Sequence, residues 1–225
     1  MTRAPLRVPT RHGYGLVLSL IIATYVLALV ADRGWIITVL VFVQTATVWQ
    51  SLRTSHAVPG LRLVAAVVLA LALVAAVANF FTTATVLTGL TFLGASVLYL
   101  IAPISIVRDL GTKPGVTLQT LFGALAAYLL IGMAFGFAYQ CVAELQSGPL
   151  FGDAGDPALS QSLFFSFVTM TTLGYGDLVP AANPAQSIAV LEALVGQLFL
   201  VTAVAKVVER WRPRAWRGQD EEPSR

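Results

Sequence analysis

Two glycines spaced two apart, in the run Thr171-Thr172-Leu173-Gly174-Tyr175-Gly176-Asp177, mark the stretch of this chain whose residue types could do chemistry. That chemistry belongs to the backbone. Successive carbonyls turn the same way when a chain alternates between right- and left-handed conformations, and glycine enters the left-handed region without the penalty a Cβ brings. A ladder of such carbonyls, with the Thr172 hydroxyl as its innermost layer, can replace the water that a cation sheds on entering an apolar medium. Other reactive groups are scattered. His12 and His56 lie in polar stretches, the single Cys141 reads as a small packing residue, and Glu192 is a solitary acid in an apolar segment. Catalysis in a membrane would need ionisable groups gathered in one place, so the pattern argues against an enzyme. Glu192 remains a functional candidate, because an acid at membrane depth is costly to keep; a tie to hydroxyls of the short apolar segment before the glycine run, such as Thr169, is the expected use.

The elements that must position this run are apolar. Of 225 residues, 57% are hydrophobic and 11% charged, against roughly 45–50% and 25% in a soluble domain. Crossing about 30 Å of hydrocarbon takes about 20 helical residues. Predominantly apolar runs of that order occur at 14–31, 35–52, 63–81, 84–107, 116–142 and 183–211. A further run, 158–170, reaches only about two-thirds of the way across at ~1.5 Å per residue. It is expected to be a re-entrant helix that carries the glycine run to membrane depth, where non-helical backbone is tolerated only under cover of protein or water. Asp156-Pro157 is expected to cap that helix, and Asn183-Pro184 to start the last span.

Charge sets the orientation. With both termini in the cytoplasm, the inner segments hold Arg3, Arg7 and Arg11, then Arg53 and Arg62, then Arg108 and Lys113, then Lys206, Arg210, Arg212, Arg214, Arg217 and Arg225, and only Arg33 falls outside. Cationic residues are retained on that side of a membrane, so the net charge of +3 reads as topology rather than as a nucleic-acid surface. Trp35, Trp49, Trp211 and Trp216 all fall at span ends, where interfacial aromatics belong. The first span behind its Arg-bearing tail is too long for a cleaved leader. The expected fold is therefore an all-α, multi-pass membrane protein of six transmembrane helices plus one re-entrant helix, with lipid as its surroundings and no nucleic acid as a partner.

The run 172–177, placed after a half-crossing and between two spans, resembles the signature of the prokaryotic potassium-channel family, Thr-x-Gly-Tyr-Gly-Asp. The resemblance covers residues 116 to about 211; the first four spans are similar to the six-helix voltage-gated-like architecture only in number and order. It implies a selectivity filter, with K+ held by the carbonyls of Thr172, Leu173, Gly174 and Tyr175 and with Gly176 closing the strand. Leu173 stands where the family usually has Val or Ile. Asp177, with Asp153 and Asp156, would form an outer mouth that raises the local cation concentration. The residues bracing the filter would be Phe164, Phe165, Val168, Thr169 and Glu192. Three of these depart from the family. Phe164 and Phe165 replace a Trp pair and are expected to pack on Tyr175 without offering its hydroxyl an indole N–H. Val168 stands where some bacterial relatives have a carboxylate. A filter prone to collapse is the expected consequence.

Gly196 follows Asp177 by nineteen residues, the position of the hinge glycine in related inner helices. A glycine inside a helix costs about 1 kcal/mol relative to alanine, so it serves either bending or close packing. Helical spacing then turns Gln197 and Leu200 toward a cavity, and Val204, Ala205 and Val208 toward an inner gate. The fourth span, 84–107, contains no Arg or Lys, whereas a voltage sensor needs charge to move through the field. The expected organisation is a cytoplasmic tail at 1–13, a four-helix sensor-like domain without gating charges at 14–108, a cytoplasmic linker at 109–115 unsuited to a helix, a pore domain at 116–211 and a second tail at 212–225 too short for a regulatory domain. One filter strand per chain implies a homotetramer in the cell membrane, passing K+ as permeating ion with no cofactor and no identified regulatory partner. The alternatives are a weakly selective cation channel and a non-conducting channel-like subunit.

Overall fold

In a computed structural model, the structure describes residues 13–29, 43, 47–51, 54, 59–81, 85–112 and 117–210. All regular elements among them are helical: α1 (Gly13–Leu29), α2 (Pro59–Phe81), α3 (Thr85–Thr112), α4 (Leu118–Leu145), a 3-10 turn (Gly152–Ala154), α5 (Leu159–Met170) and α6 (Ala185–Arg210). Three of the described helices, α3, α4 and α6, are long and apolar enough to cross a membrane. The span expected at 35–52 lies mostly outside the described residues, although 47–51 is helical. The tails expected at 1–13 and 212–225 also lie outside them, apart from Gly13.

Helix ends follow local chemistry, and three differ from expectation. The fourth-span helix does not stop at Val107; α3 runs on to Thr112, four residues into the expected linker. Its continuation is held by packing and polar contacts: Leu110 lies against Gly123 of α4, and the Asp109 carboxylate accepts a hydrogen bond from the Tyr14 hydroxyl of α1. The re-entrant helix α5 is not capped by Asp156, whose Oδ1 instead accepts from the Leu150 amide at 3.0 Å. Ala158 takes the N-cap position, and its amide donates to Gln161 Oε1 at 2.9 Å, so a side chain from the first turn reaches back to the chain entry. Asn183 does not cap α6: its Oδ1 accepts from the Ser187 hydroxyl, and the helix begins at Ala185. At α4 the pattern is regular, with Thr117 Oγ1 accepting from the Thr120 amide and Thr120 Oγ1 from the Thr117 amide.

Packing centres on α4. It runs against α1 and α3 on one side and against α5 and α6 on the other. The side toward α1 and α3 is filled by Tyr99, Ile106, Leu130, Met133 and Phe137, all fully buried, with the Tyr99 and Phe137 rings edge to face at 5.4 Å. Where α5 crosses, α4 presents Gly132 and Gly136. A Cβ at Gly136 would fall 2.6 Å from Leu163 Cδ2, and one at Gly132 would fall 2.6 Å from Phe167 Cε1. The absence of side chains at these two positions lets the short helix lie directly on the outer helix. Phe165 and Met170 of α5 sit in a second cluster with Tyr139, Leu150, Phe151 and Ala185. Contact between Tyr25 of α1 and Phe167 of α5, edge to face at 5.5 Å, brings the first helix onto the re-entrant one within a single chain.

Candidate functional site

The glycine run begins where α5 ends, and the ending itself shapes it. The Leu173 amide donates to the Val168 carbonyl at 3.0 Å and the Thr172 amide to the Thr169 carbonyl at 3.0 Å. This 6→1 and 5→2 pair is the Schellman ending of a helix, in which the residue after the cap is left-handed and usually glycine. Here that residue is Thr172, at φ 59°. A β-branched residue in this region is strained by about 1–2 kcal/mol. Gly174 and Gly176 follow with φ 57° and 84°. Positive φ therefore recurs at every second residue, the alternation that turns carbonyls toward one side. Val168 contributes through its backbone, since its carbonyl also accepts from the Gly174 amide at 3.4 Å. All seven residues 171–177 are exposed on the single chain.

The bracing residues divide. Phe164 lies parallel to Tyr175, ring centroids 6.1 Å apart and planes at 2°. Phe165 does not pack on Tyr175; it turns the other way, edge on to Tyr139 at 4.9 Å and Phe151 at 5.0 Å. Consecutive residues of a helix point about 100° apart, so one pair could not serve one ring. Glu192 is fully buried, and its partners are not Thr169. Its Oε2 accepts from the Tyr139 hydroxyl of α4 at 2.7 Å and its Oε1 is hydrogen-bonded with Ser166 of α5. Ser166 Oγ also lies 2.6 Å from the Gly132 carbonyl oxygen of α4. Beside this group, the Ser162 hydroxyl donates to Gln140 Oε1 at 2.9 Å, a second polar link between α5 and α4.

On α6, Gln197 Nε2 reaches toward Thr172 Oγ1 at 3.4 Å, joining the inner helix to the start of the strand. Leu200, Val204 and Ala205 are exposed on that helix, and the side chain of Val208 lies outside the described residues. The helix is unbroken at Gly196, and a Cβ there would fall 2.5 Å from Met170 Cγ and 2.9 Å from the Met170 carbonyl oxygen. In this structure Gly196 is the point at which α6 touches the end of α5. Asp153 and Asp177 are exposed, and Asp156 is tied to the Leu150 amide. Tyr139, Ser166, Gly132 and Gly136 were not singled out by sequence. The glycine pair four apart in an apolar span was the available signal for the last two.

A short helix that delivers a strand of alternating handedness, packed between two helices long and apolar enough to cross a membrane, is an arrangement suited to an ion channel. Residues 123–212 match the family model described as "Ion channel". The chain is 37% identical over 75 residues to the inward rectifier potassium channel Kirbac3.1 of Paramagnetospirillum magnetotacticum, which covers 33% of this chain and 25% of that protein. It is 35% identical over 71 residues to the potassium voltage-gated channel protein shk-1 of Caenorhabditis elegans, covering 29% of this chain and 13% of that one. The match thus spans a quarter or less of the length of either relative. No solved structure matches the chain.

Proposed function

We propose that four copies of this chain form a potassium-selective channel in the cell membrane, with both termini cytoplasmic. Carbonyls of Thr172, Leu173, Gly174 and Tyr175 replace the water shell of K+ at the shared axis. The observation that carries this reading is the positive φ at Thr172, Gly174 and Gly176, which a lone turn would not need at three alternate positions. The exposure of all residues 171–177, together with Val190, Leu191, Leu194, Leu198 and Val201 of α6, suits a strand and helix that other copies cover. Both relatives named above carry potassium in their names, which favours K+ over other cations.

Asp177 and Asp153 stand at the outer mouth and concentrate cations there. Thr172, with Gln197 beneath it, faces the central cavity, whose walls continue down Leu200 and Val204. The described part of α3 carries its first charge at Arg108, near its end, so opening is only weakly voltage-dependent. Purified protein in liposomes, loaded in turn with potassium and sodium gradients, tests the proposal. Flux that follows the potassium gradient and is small for sodium is the expected result. Equal flux of both ions points to the weakly selective channel, and none to a non-conducting subunit.

A further inference from the structure

The buried group around Glu192 poses a hydrogen count. Tyr139 brings one hydroxyl hydrogen, directed at Glu192 Oε2 over 2.7 Å. Ser166 also brings one, yet its Oγ has two oxygen neighbours, the Gly132 carbonyl at 2.6 Å and Glu192 Oε1. A carbonyl oxygen has no hydrogen to give, and an ionised carboxylate has none either. With Glu192 ionised, one of the two Ser166 contacts would set lone pairs against lone pairs. A single additional hydrogen satisfies every contact: a proton on Oε1 donated to Ser166 Oγ, while Ser166 donates its own to Gly132.

The surroundings agree. Among the described residues no Lys, Arg or His forms an ion pair with Glu192, whose hydrogen-bond partners are the hydroxyls of Tyr139 and Ser166. Tyr128 of α4 is the other titratable group whose charge interacts with it, and α5 faces it with Ser166. The side chain is fully buried on a helix long and apolar enough to cross a membrane, and an uncompensated charge buried there is costly.

We propose that Glu192 carries its proton and works as a two-way hydrogen-bond node, accepting from Tyr139 and donating to Ser166. It thereby fixes the pore helix α5 between the outer helix α4 and the inner helix α6. Glu192 is a positioning residue: it touches no ion, and acts on the strand 172–176 through the helix that ends at Met170. Its importance for conduction rests on the function proposed above; the placement of the proton does not.

The Glu192→Gln variant separates the two protonation states. A glutamine amide has one acceptor and donors, as the protonated acid does, whereas an ionised carboxylate accepts on both oxygens. In the infrared difference spectrum between wild type and E192Q, purified in lipid, the expected loss is the carbonyl band of a protonated carboxylic acid. Loss of carboxylate bands in its place would overturn the proposal. In potassium flux, E192Q is expected within about twofold of wild type and E192A reduced roughly tenfold or more, the rate equivalent of leaving one buried polar group unpaired. E192Q no better than E192A would also overturn it. If the wild type passes no potassium at all, the functional reading fails, and the infrared measurement still decides the node.

Discussion

Thr172 carries two demands that one residue type rarely meets. Its backbone is left-handed at φ 59°, which glycine would do without strain, and its hydroxyl faces Gln197 at 3.4 Å, which glycine cannot do. Separating them gives a sharp expectation. Thr172→Gly should leave thermal stability unchanged or raise it, by up to about 1 kcal/mol after the entropy of glycine is set against the relieved strain, while potassium selectivity falls. Thr172→Ser should keep selectivity. A selective Gly variant would show that the hydroxyl is not an ion ligand. Phe164 rather than Phe165 should govern the endurance of the strand, because only Phe164 lies on Tyr175. Phe164→Trp is expected to slow the decay of current during sustained opening, and Phe165→Trp to destabilise the cluster at Tyr139 and Phe151, with roughly 1–3 kcal/mol lost by overpacking; thermal melts and current decay in both variants distinguish the two. The sequence made the glycines legible, since two of them two apart follow a half-length span. It could not reveal that Thr172 takes the left-handed ending of α5, because that depends on the amides of Thr172 and Leu173 finding the carbonyls of Thr169 and Val168.

At the scale of elements, α5 is gripped by what its neighbours lack. Gly132 and Gly136 of α4 and Gly196 of α6 each give up a side chain where the short helix passes. Gly196→Ala distinguishes packing from bending by sign. On an open helix face, alanine would stabilise by about 1 kcal/mol; against the Met170 carbonyl, 2.9 Å from the new Cβ, it should destabilise by roughly 1–3 kcal/mol. Thermal unfolding of the purified variant reads the sign directly. Helix positions were legible because a membrane demands long apolar runs, and the described helices Pro59–Phe81, Thr85–Thr112, Leu118–Leu145 and Leu159–Met170 overlap the runs 63–81, 84–107, 116–142 and 158–170. Helix ends were less so. Asp156 and Asn183 are good capping residues by type, but Asp156 is drawn to the Leu150 amide and Asn183 to the Ser187 hydroxyl. Glu192 does meet a hydroxyl of the short helix, as expected, but at Ser166 rather than Thr169, and only the packed crossing at Gly132 selects between them.

For the molecule as a whole, the chain places its own α1 and α3 against its own α4, and α1 touches α5 through Tyr25 and Phe167. Helix α1 thus buttresses the short helix α5 directly, while α3 reaches it only through α4. The described α3 is uncharged until Arg108, so the conductance of the reconstituted channel should change little over 100 mV, where each gating charge would contribute about 2.3 kcal/mol. A steep conductance-voltage relation would mean that charge moves elsewhere in the protein. The central claim is that symmetry-related copies of strand 172–176 surround one axis and hold dehydrated potassium there. A density map of the purified protein in lipid and potassium tests it most directly. The account predicts fourfold symmetry, with ion density on the axis level with the carbonyls of Thr172, Leu173, Gly174 and Tyr175. A single or twofold assembly, or strands lying away from the axis, would contradict it.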